Sequence, residues 1–258
     1  MHGSTPRRCD GVLCNGSIRS LHPGRSYEKV SVMPWYPGPD GHYITSFWDG
    51  QRWAISLTND HLTLQGQWIA FSDITQVAYW NRTIIGVPGP ANNYGSGMYI
   101  YRGFSVNDSR GNNYTLNFDN PVARDVPENE TAWRGLADIS RRFIEPQVSH
   151  RILGSLREGE EYTIDDGGCF IALSSSGFRG KVFRTKAFSW SDFYHVEVNA
   201  AFNNMSPGKN HGQARVWAQV GEKRKTRLVT GLDTTVPNAV VLATLMPMCA
   251  AAFATQIV

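Results

Sequence analysis

Charge is scarce in this sequence. Asp, Glu, Lys and Arg make up 18% of its 258 residues, and the net charge is +3 at pH 7. So mild a balance argues against nucleic acid as the main partner. Cysteine is scarce too. Of the four, only Cys9 and Cys14 are close in sequence, and no His or Cys pair lies near them at zinc spacing. Cys169 and Cys249 read as small buried apolar residues, and a reducing compartment is expected. Residues 1–32 contain no apolar run, so no secretory signal is expected and the expected location is cytoplasmic. Catalytic signatures are missing as well. The Gly-rich stretch 86–97 is not followed by Lys-Ser/Thr, and Ser174-Ser175-Ser176-Gly177 is not a nucleophile elbow. His61, His195 and His211 are single residues, and the seven His form no cluster at ligand spacing. No metal or other cofactor is implied.

Apolar and aromatic material is plentiful. Hydrophobic residues make up 41% and aromatics 12%, including 8 Trp. That composition buries cores and suits small β-domains filled with rings. The length fits one large or two ordinary domains.

The chain is organised around residues 57–79, LTNDHLTLQGQWIAFSDITQVAY. Within it, Phe71-Ser72-Asp73-Ile74 is followed by Val77. The same spacing returns 119 residues later, in Trp190-Ser191-Asp192-Phe193 followed by Val196. This reads as an internal duplication. Alternation of Ile55, Leu57, Leu62 and Leu64 predicts half-buried strands around a turn at Asn59-Asp60. Residues 68–71, 74–80, 98–106 and 114–118 continue the pattern, the last two as a hairpin about 107–112. Trp133, Leu136, Ala137, Ser140, Phe143 and Ile144 then recur at helical spacing, with acid near the start, Arg141 and Arg142 near the end, and Pro146 as the stop. The second half repeats the order. Strands are expected at 162–164, 170–173, 182–183, 188–198, 214–220 and 226–232, with a loop at 203–212 and a helix from about Pro237.

The duplicated Asp73 and Asp192 suggest paired carboxylates at first sight. An Asp just before a strand more simply caps its turn through backbone N–H groups, and that is the expectation here. Residues 1–32 are Arg-, Gly- and Ser-bearing without periodicity. They read as a disordered or non-native tail, with Met33 as an alternative start.

Two resemblances add to this reading. Pro34-Trp35-Tyr36-Pro37-Gly38-Pro39-Asp40-Gly41, then Trp48-Asp49-Gly50-Gln51-Arg52-Trp53, resembles a short Trp-rich actinobacterial domain of unknown function, with Gly38 where that family most often has Asp. The resemblance implies an actinobacterial or actinophage source and no activity. The alternative is that residues 43–53 simply begin the first β-unit. The second resemblance rests on Leu57-Thr58-Asn59-Asp60-His61-Leu62 and Phe71-Ser72-Asp73-Ile74-Thr75-Gln76-Val77. These are similar to the L-T-N-x-x-L and φ-x-D-I-x-x-V strands of bacterial pleckstrin-homology-like and GRAM-like domains. That family's fold is a bent barrel closed at one end by a C-terminal helix. The expected architecture is therefore mainly β: two tandem pleckstrin-homology-like barrels at 54–148 and 155–258, each closed by a helix, after a Trp-rich segment at 33–53.

One cationic run stands out. Arg179, Lys181, Arg184 and Lys186 fall within eight residues and interleave with Phe178 and Phe183. Lys223, Arg224, Lys225 and Arg227 follow in the late hairpin. In the resembled family, domains that hold phosphoinositides keep basic residues at the position of the first run. Each cation near an anionic membrane is worth roughly 1 kcal/mol, and the bland alternative is a solvated face. Residues 236–258 carry no charge, which fits a closing helix, a membrane anchor or an oligomer contact. The resulting expectation is a non-catalytic binding or scaffold module for a protein partner or an anionic membrane surface. An oligomeric assembly protein and an enzyme with scattered catalytic residues are the alternatives.

Overall fold

The computed structural model describes residues 43–48, 52–58, 60–64, 66–87, 97–118, 120–121, 127–181, 184–204, 212–221 and 224–254. Cys9, Cys14, residues 33–42, His211, Lys223 and the strand expected at 182–183 lie outside the described residues.

The protein is mainly β. Strands β1 (Tyr43–Trp48), β2 (Arg52–Leu57), β3 (His61–Leu64) and β4 (Gln67–Ala70) form an antiparallel meander. The second half of the Trp-rich motif spans the β1–β2 hairpin, where Phe47 faces Trp53 and Trp48 faces Arg52 in the register. Period-two burial of Leu62 and Leu64 seats β3 on the core. Thr58 closes the turn: its N–H donates to the His61 carbonyl (2.9 Å), and its Oγ1 accepts from the His61 N–H (2.9 Å). A 3-10 turn at Phe71–Asp73 leads into β5 (Ile74–Val87), which pairs with β6 (Gly97–Asp108) and, through it, with β7 (Asn113–Asn117) and β8 (Asn120–Pro121). Asp108 organises the β6–β7 turn by accepting from the N–H groups of Arg110 and Asn112, both at 2.9 Å.

Pro146 does not end the first helix. Helix α1 (Pro127–Ile139) passes through a π turn at Ser140–Ile144 into α2 (Glu145–Arg157). The Glu145 N–H reaches back to the Ser140 carbonyl, the wider ring that defines a π turn. The proline follows directly, and the π turn before it widens the ladder at the place where proline donates no hydrogen bond and crowds the carbonyl four residues back. The continuous helix spans residues 149–154, the stretch between the two expected units.

The second half opens with another meander, β9 (Tyr162–Asp165), β10 (Phe170–Ser174), β11 (Gly177–Lys181) and β12 (Thr185–Phe188). A 3-10 turn at Trp190–Asp192 leads into β13 (Phe193–Asn199). β14 (Ala201–Asn204) follows, in part of the segment expected to be loop. β15 (Gln213–Val220) and β16 (Lys225–Asp233) then form the late hairpin. β13, β15 and β16 make one sheet, whereas β14 crosses over to pair in parallel with β5 of the first half. Both halves therefore show the same order: meander, aromatic-Ser-Asp turn, further strands, helix. The last helix, α3 (Leu242–Phe253), starts five residues later than expected from Pro237, because residues 234–241 form successive turns.

The strands make four separate sheets, and no barrel closes among the described residues. The outer edge of β5 is one reason: β14 and Asn238 occupy it, so it is not free to join β4. One core runs through both halves, from Phe71, Phe104 and Leu136 to Ile171, Trp190 and Leu245. Burying each such side chain is worth about 1.5–3 kcal/mol. α3 lays Leu245, Met246, Cys249 and Phe253 into this core, and the Phe253 ring lies 6.2 Å from that of Trp190. Burial pushes the Cys249 thiol up to about 12. Among the described residues no helix is long and apolar enough to cross a membrane.

Candidate functional site: the cationic end of the second half

The cationic run divides by strand pleat. Arg179 and Lys181 alternate outward on β11, opposite Ala187 and Thr185 of β12. Phe178 faces Phe188, and Gly180 faces Lys186, so these four share the core side of the sheet. Phe178 and Phe188 are buried and stacked at 5.4 Å, while Lys186 at the rim of the same face is exposed. Arg179 is already engaged: its Nη2 donates to Glu161 Oε1 at 2.7 Å. Both partners are about half exposed, so the pair contributes only about 0–1 kcal/mol. Lys181, Arg184, Lys186, Lys225 and Arg227 are exposed and have no carboxylate within 4.0 Å among the described residues.

The fold brings the late hairpin to this place. β16 passes across the ends of the second meander. The Cys169 thiol lies beside the backbone of Gly231, the Thr230 hydroxyl donates to the Lys181 carbonyl (3.3 Å), and Gly180 packs against Val229. A Cβ at Gly180 would stand 2.7 Å from Val229 Cγ1, so glycine is what allows the close crossing. Leu228 and Arg227 follow next along β16, and Lys186 pairs with Gly180 across the β11–β12 ladder, so both cations lie within a few residues of the crossing. Arg227 pairs with the buried Ala218, and Lys225 with Val220, which places both on the core side of β16. Arg224 occupies the turn with φ 43 and donates its N–H to the Gly221 carbonyl (2.9 Å). Lys186 shares the face of Phe178 and Phe188, Arg227 shares the face of Phe193 and Ala218, and the two faces meet where the Phe193 ring lies 6.4 Å from that of Phe178.

Carboxylates temper the outer side. Asp165 and Asp166 form the β9–β10 turn, their Oδ1 atoms accepting from the N–H groups of Gly167 (2.7 Å) and Gly168 (2.9 Å). They adjoin Lys181 through Cys169, whose thiol is raised by burial first and by the Asp166 charge second.

The duplicated aromatics Phe71 and Trp190 are both buried; Val77 is buried and Val196 half-buried. The two Asp residues differ. Asp192 Oδ2 accepts from the Ser189 N–H (3.0 Å) and hydroxyl (2.9 Å), a capping box. Asp73 has no such box, because Ala70 stands where Ser189 stands in the second turn. Arg151 holds the first turn instead, donating to the carbonyls of Ile74 (2.8 Å) and Ser72. His61 bonds Asp60 (2.7 Å), and His195 stacks on Trp217 (5.9 Å). Among the described residues no three His, Cys, Asp or Glu side chains come together as metal ligands.

Three features escaped the sequence reading. Asn238, buried at φ 65, acts as a surrogate strand for β5: its Oδ1 accepts from the Val77 N–H (2.9 Å), and its Nδ2 donates to the Thr75 carbonyl (3.1 Å) and to the Tyr162 hydroxyl (2.7 Å). Beside it an open cleft of about 250 Å³ lies between α2, β5 and β9. The Pro-Asn pair was a legible turn signal, but its partners 161 residues away were not. Glu145 is also buried. It accepts from the Tyr79 hydroxyl (2.9 Å) and the Ser140 hydroxyl (3.1 Å), and burial raises its pKa. The third feature is a row on the outer face of the β13–β15–β16 sheet: exposed Tyr194 at a bulge, exposed His195, half-buried Trp217 and exposed Leu228.

No family model matches this chain, and no curated protein matches it.

Proposed function

We propose that the protein acts by binding rather than by catalysis, and that its contact surface is the cationic end of the second half, with an acidic protein partner. The observation that carries this reading is a set of exposed cations, from two distant segments, that have no carboxylate within 4.0 Å among the described residues. Elsewhere Arg82, Arg110, Arg134 and Arg141 each sit beside a carboxylate, as Arg179 does at this end, while exposed Arg142 and Arg157 without one lie singly on the helices. Several exposed cations at one place attract the opposite charge that another molecule brings. The shared order of elements in the two halves supports reading each as a pleckstrin-homology-like unit, a small β-scaffold that presents loops and edges.

A second reading is an anionic membrane surface. Tyr194 (50% exposed) and Leu228 (37% exposed) favour it, since amphipathic and apolar side chains beside cations suit a lipid interface. The test is binding of the full chain to poly-glutamate and to phosphatidylglycerol-containing vesicles at low and moderate salt. The Lys186→Glu/Arg227→Glu variant is expected to lose at least tenfold in affinity, on the basis of roughly 1 kcal/mol per cation. Absence of salt-sensitive binding to either probe rejects the reading.

A further inference from the structure

The exposed cations Lys225 and Arg227 lie on a strand edge. β16 pairs with β15 along one side. Along its other side, no backbone hydrogen bond engages residues 225–228 among the described residues. Side chains 225–228 are exposed on both faces of the ribbon. β12 is likewise the outermost strand of its sheet. Both edges start from the crossing at Gly180 and Val229: Lys186 pairs with Gly180 on the core side of β12, and Arg227 lies two residues from Val229 on the core side of β16.

We propose that residues 225–228 of β16 form a docking strand for an extended acidic segment of a partner protein. The free edge supplies main-chain hydrogen bonds, and Lys186 and Arg227 supply the charge. This deepens the reading that the cationic end binds an acidic partner and rests on it.

The chemistry of the edge defines the segment. An added strand presents its side chains with a period of two, alternately to the two faces of the sheet. On the core side of β16 it meets Lys225 and Arg227. On the outer side it meets Thr226 and Leu228, the latter continuous with the Trp217 and His195 row. The matching segment alternates acidic and apolar residues. A strand edge left open in this way invites pairing; lysine and arginine along it repel basic edges, lose hydration without compensation against neutral ones, and admit an acidic one.

The arrangement fits a chain better than a bilayer. A planar surface engages cations on one face. Here Lys181 points to the outer face beside Asp165 and Asp166, while Lys186 and Arg227 point to the inner side. A narrow extended ligand reaches the inner pair without meeting the two aspartates.

The test uses the full chain and a labelled hexapeptide of alternating Glu and Val, with phosphatidylcholine vesicles containing phosphatidylglycerol as the second arm. Fluorescence anisotropy is expected to show salt-sensitive binding of the peptide. Lys186→Glu and Arg227→Glu are each expected to weaken it about fivefold, as one lost cation implies. In the unmodified protein, bound peptide is expected to slow amide hydrogen exchange within residues 225–228. Peptide binding without that protection overturns the docking strand. So does binding to the vesicles with no binding of the peptide, an outcome that leaves the cationic contact surface standing as a membrane site. Binding to neither probe overturns the cationic surface itself.

Discussion

Two buried polar side chains carry more of the fold than their number suggests. Asn238 makes three side-chain hydrogen bonds to the other half or to β9 from a left-handed backbone. Asn238→Ala removes all three, strands the Val77 N–H and forces Ala to positive φ. A loss of about 2–4 kcal/mol is expected, read as a shift of the denaturant midpoint. Asn238→Gly relieves the backbone and should fall between Ala and the parent; equal loss in both variants would locate the effect in the hydrogen bonds alone. Glu145 gives a pH-dependent expectation. Burial raises its folded pKa above the ordinary 4.5, so the native state holds the proton more tightly than the unfolded chain. Its contribution is most favourable below the unfolded pKa and is lost as pH rises through the folded one. Glu145→Gln keeps the acceptor for the Tyr79 hydroxyl and removes the charge. Its stability relative to the parent should therefore grow from about pH 4 toward neutrality. Parallel stability curves for the two proteins across that range would contradict this.

At the scale of elements, the strands were legible because alternation and turn residues act locally. Ile55, Leu62 and Leu64 point inward as their period requires, and the two aromatic-Ser-Asp clusters both form 3-10 turns that deliver a buried ring. What was not legible depends on partners distant in sequence. Pro146 stops an ordinary helix, yet the π turn before it carries the chain on, and nothing in residues 133–146 announces that turn. The cations of the 179–186 run read as one patch, but the pleat splits them between faces. Gly180 lies within that run, and it is the point where β16 crosses. Gly180→Ala drives a methyl to 2.7 Å from Val229 Cγ1 and 3.2 Å from the Val229 carbonyl oxygen. The expected cost is about 1–3 kcal/mol in unfolding free energy, with weakened ligand binding because the crossing that seats β16 against β11 is pushed open. Wild-type stability in that variant would show that the crossing is loose.

At the scale of the molecule, the two halves are joined rather than strung. β14 pairs in parallel with β5, the Asn81 N–H donates to the Ala200 carbonyl (2.7 Å), and Arg82 meets Asp233 at 3.1 Å. With one core and a helix running across residues 149–154, the described body should unfold as a unit. Denaturant unfolding followed by Trp fluorescence and by far-UV circular dichroism is expected to give coincident single transitions. Two separated transitions would mean that the halves are independent. Joining also fixes the cationic end relative to the rest of the body, so that its shape does not depend on a partner to assemble it.

The central claim is that this end is a binding surface for acidic ligands. The most direct measurement is the affinity of the full chain for poly-glutamate at low salt, compared with the Lys186→Glu/Arg227→Glu variant and with Arg179→Glu as the control. Binding that falls at least tenfold in the double variant, and far less at the already paired Arg179, is the predicted result. Equal affinity in all three proteins, or no binding by the parent, would contradict it.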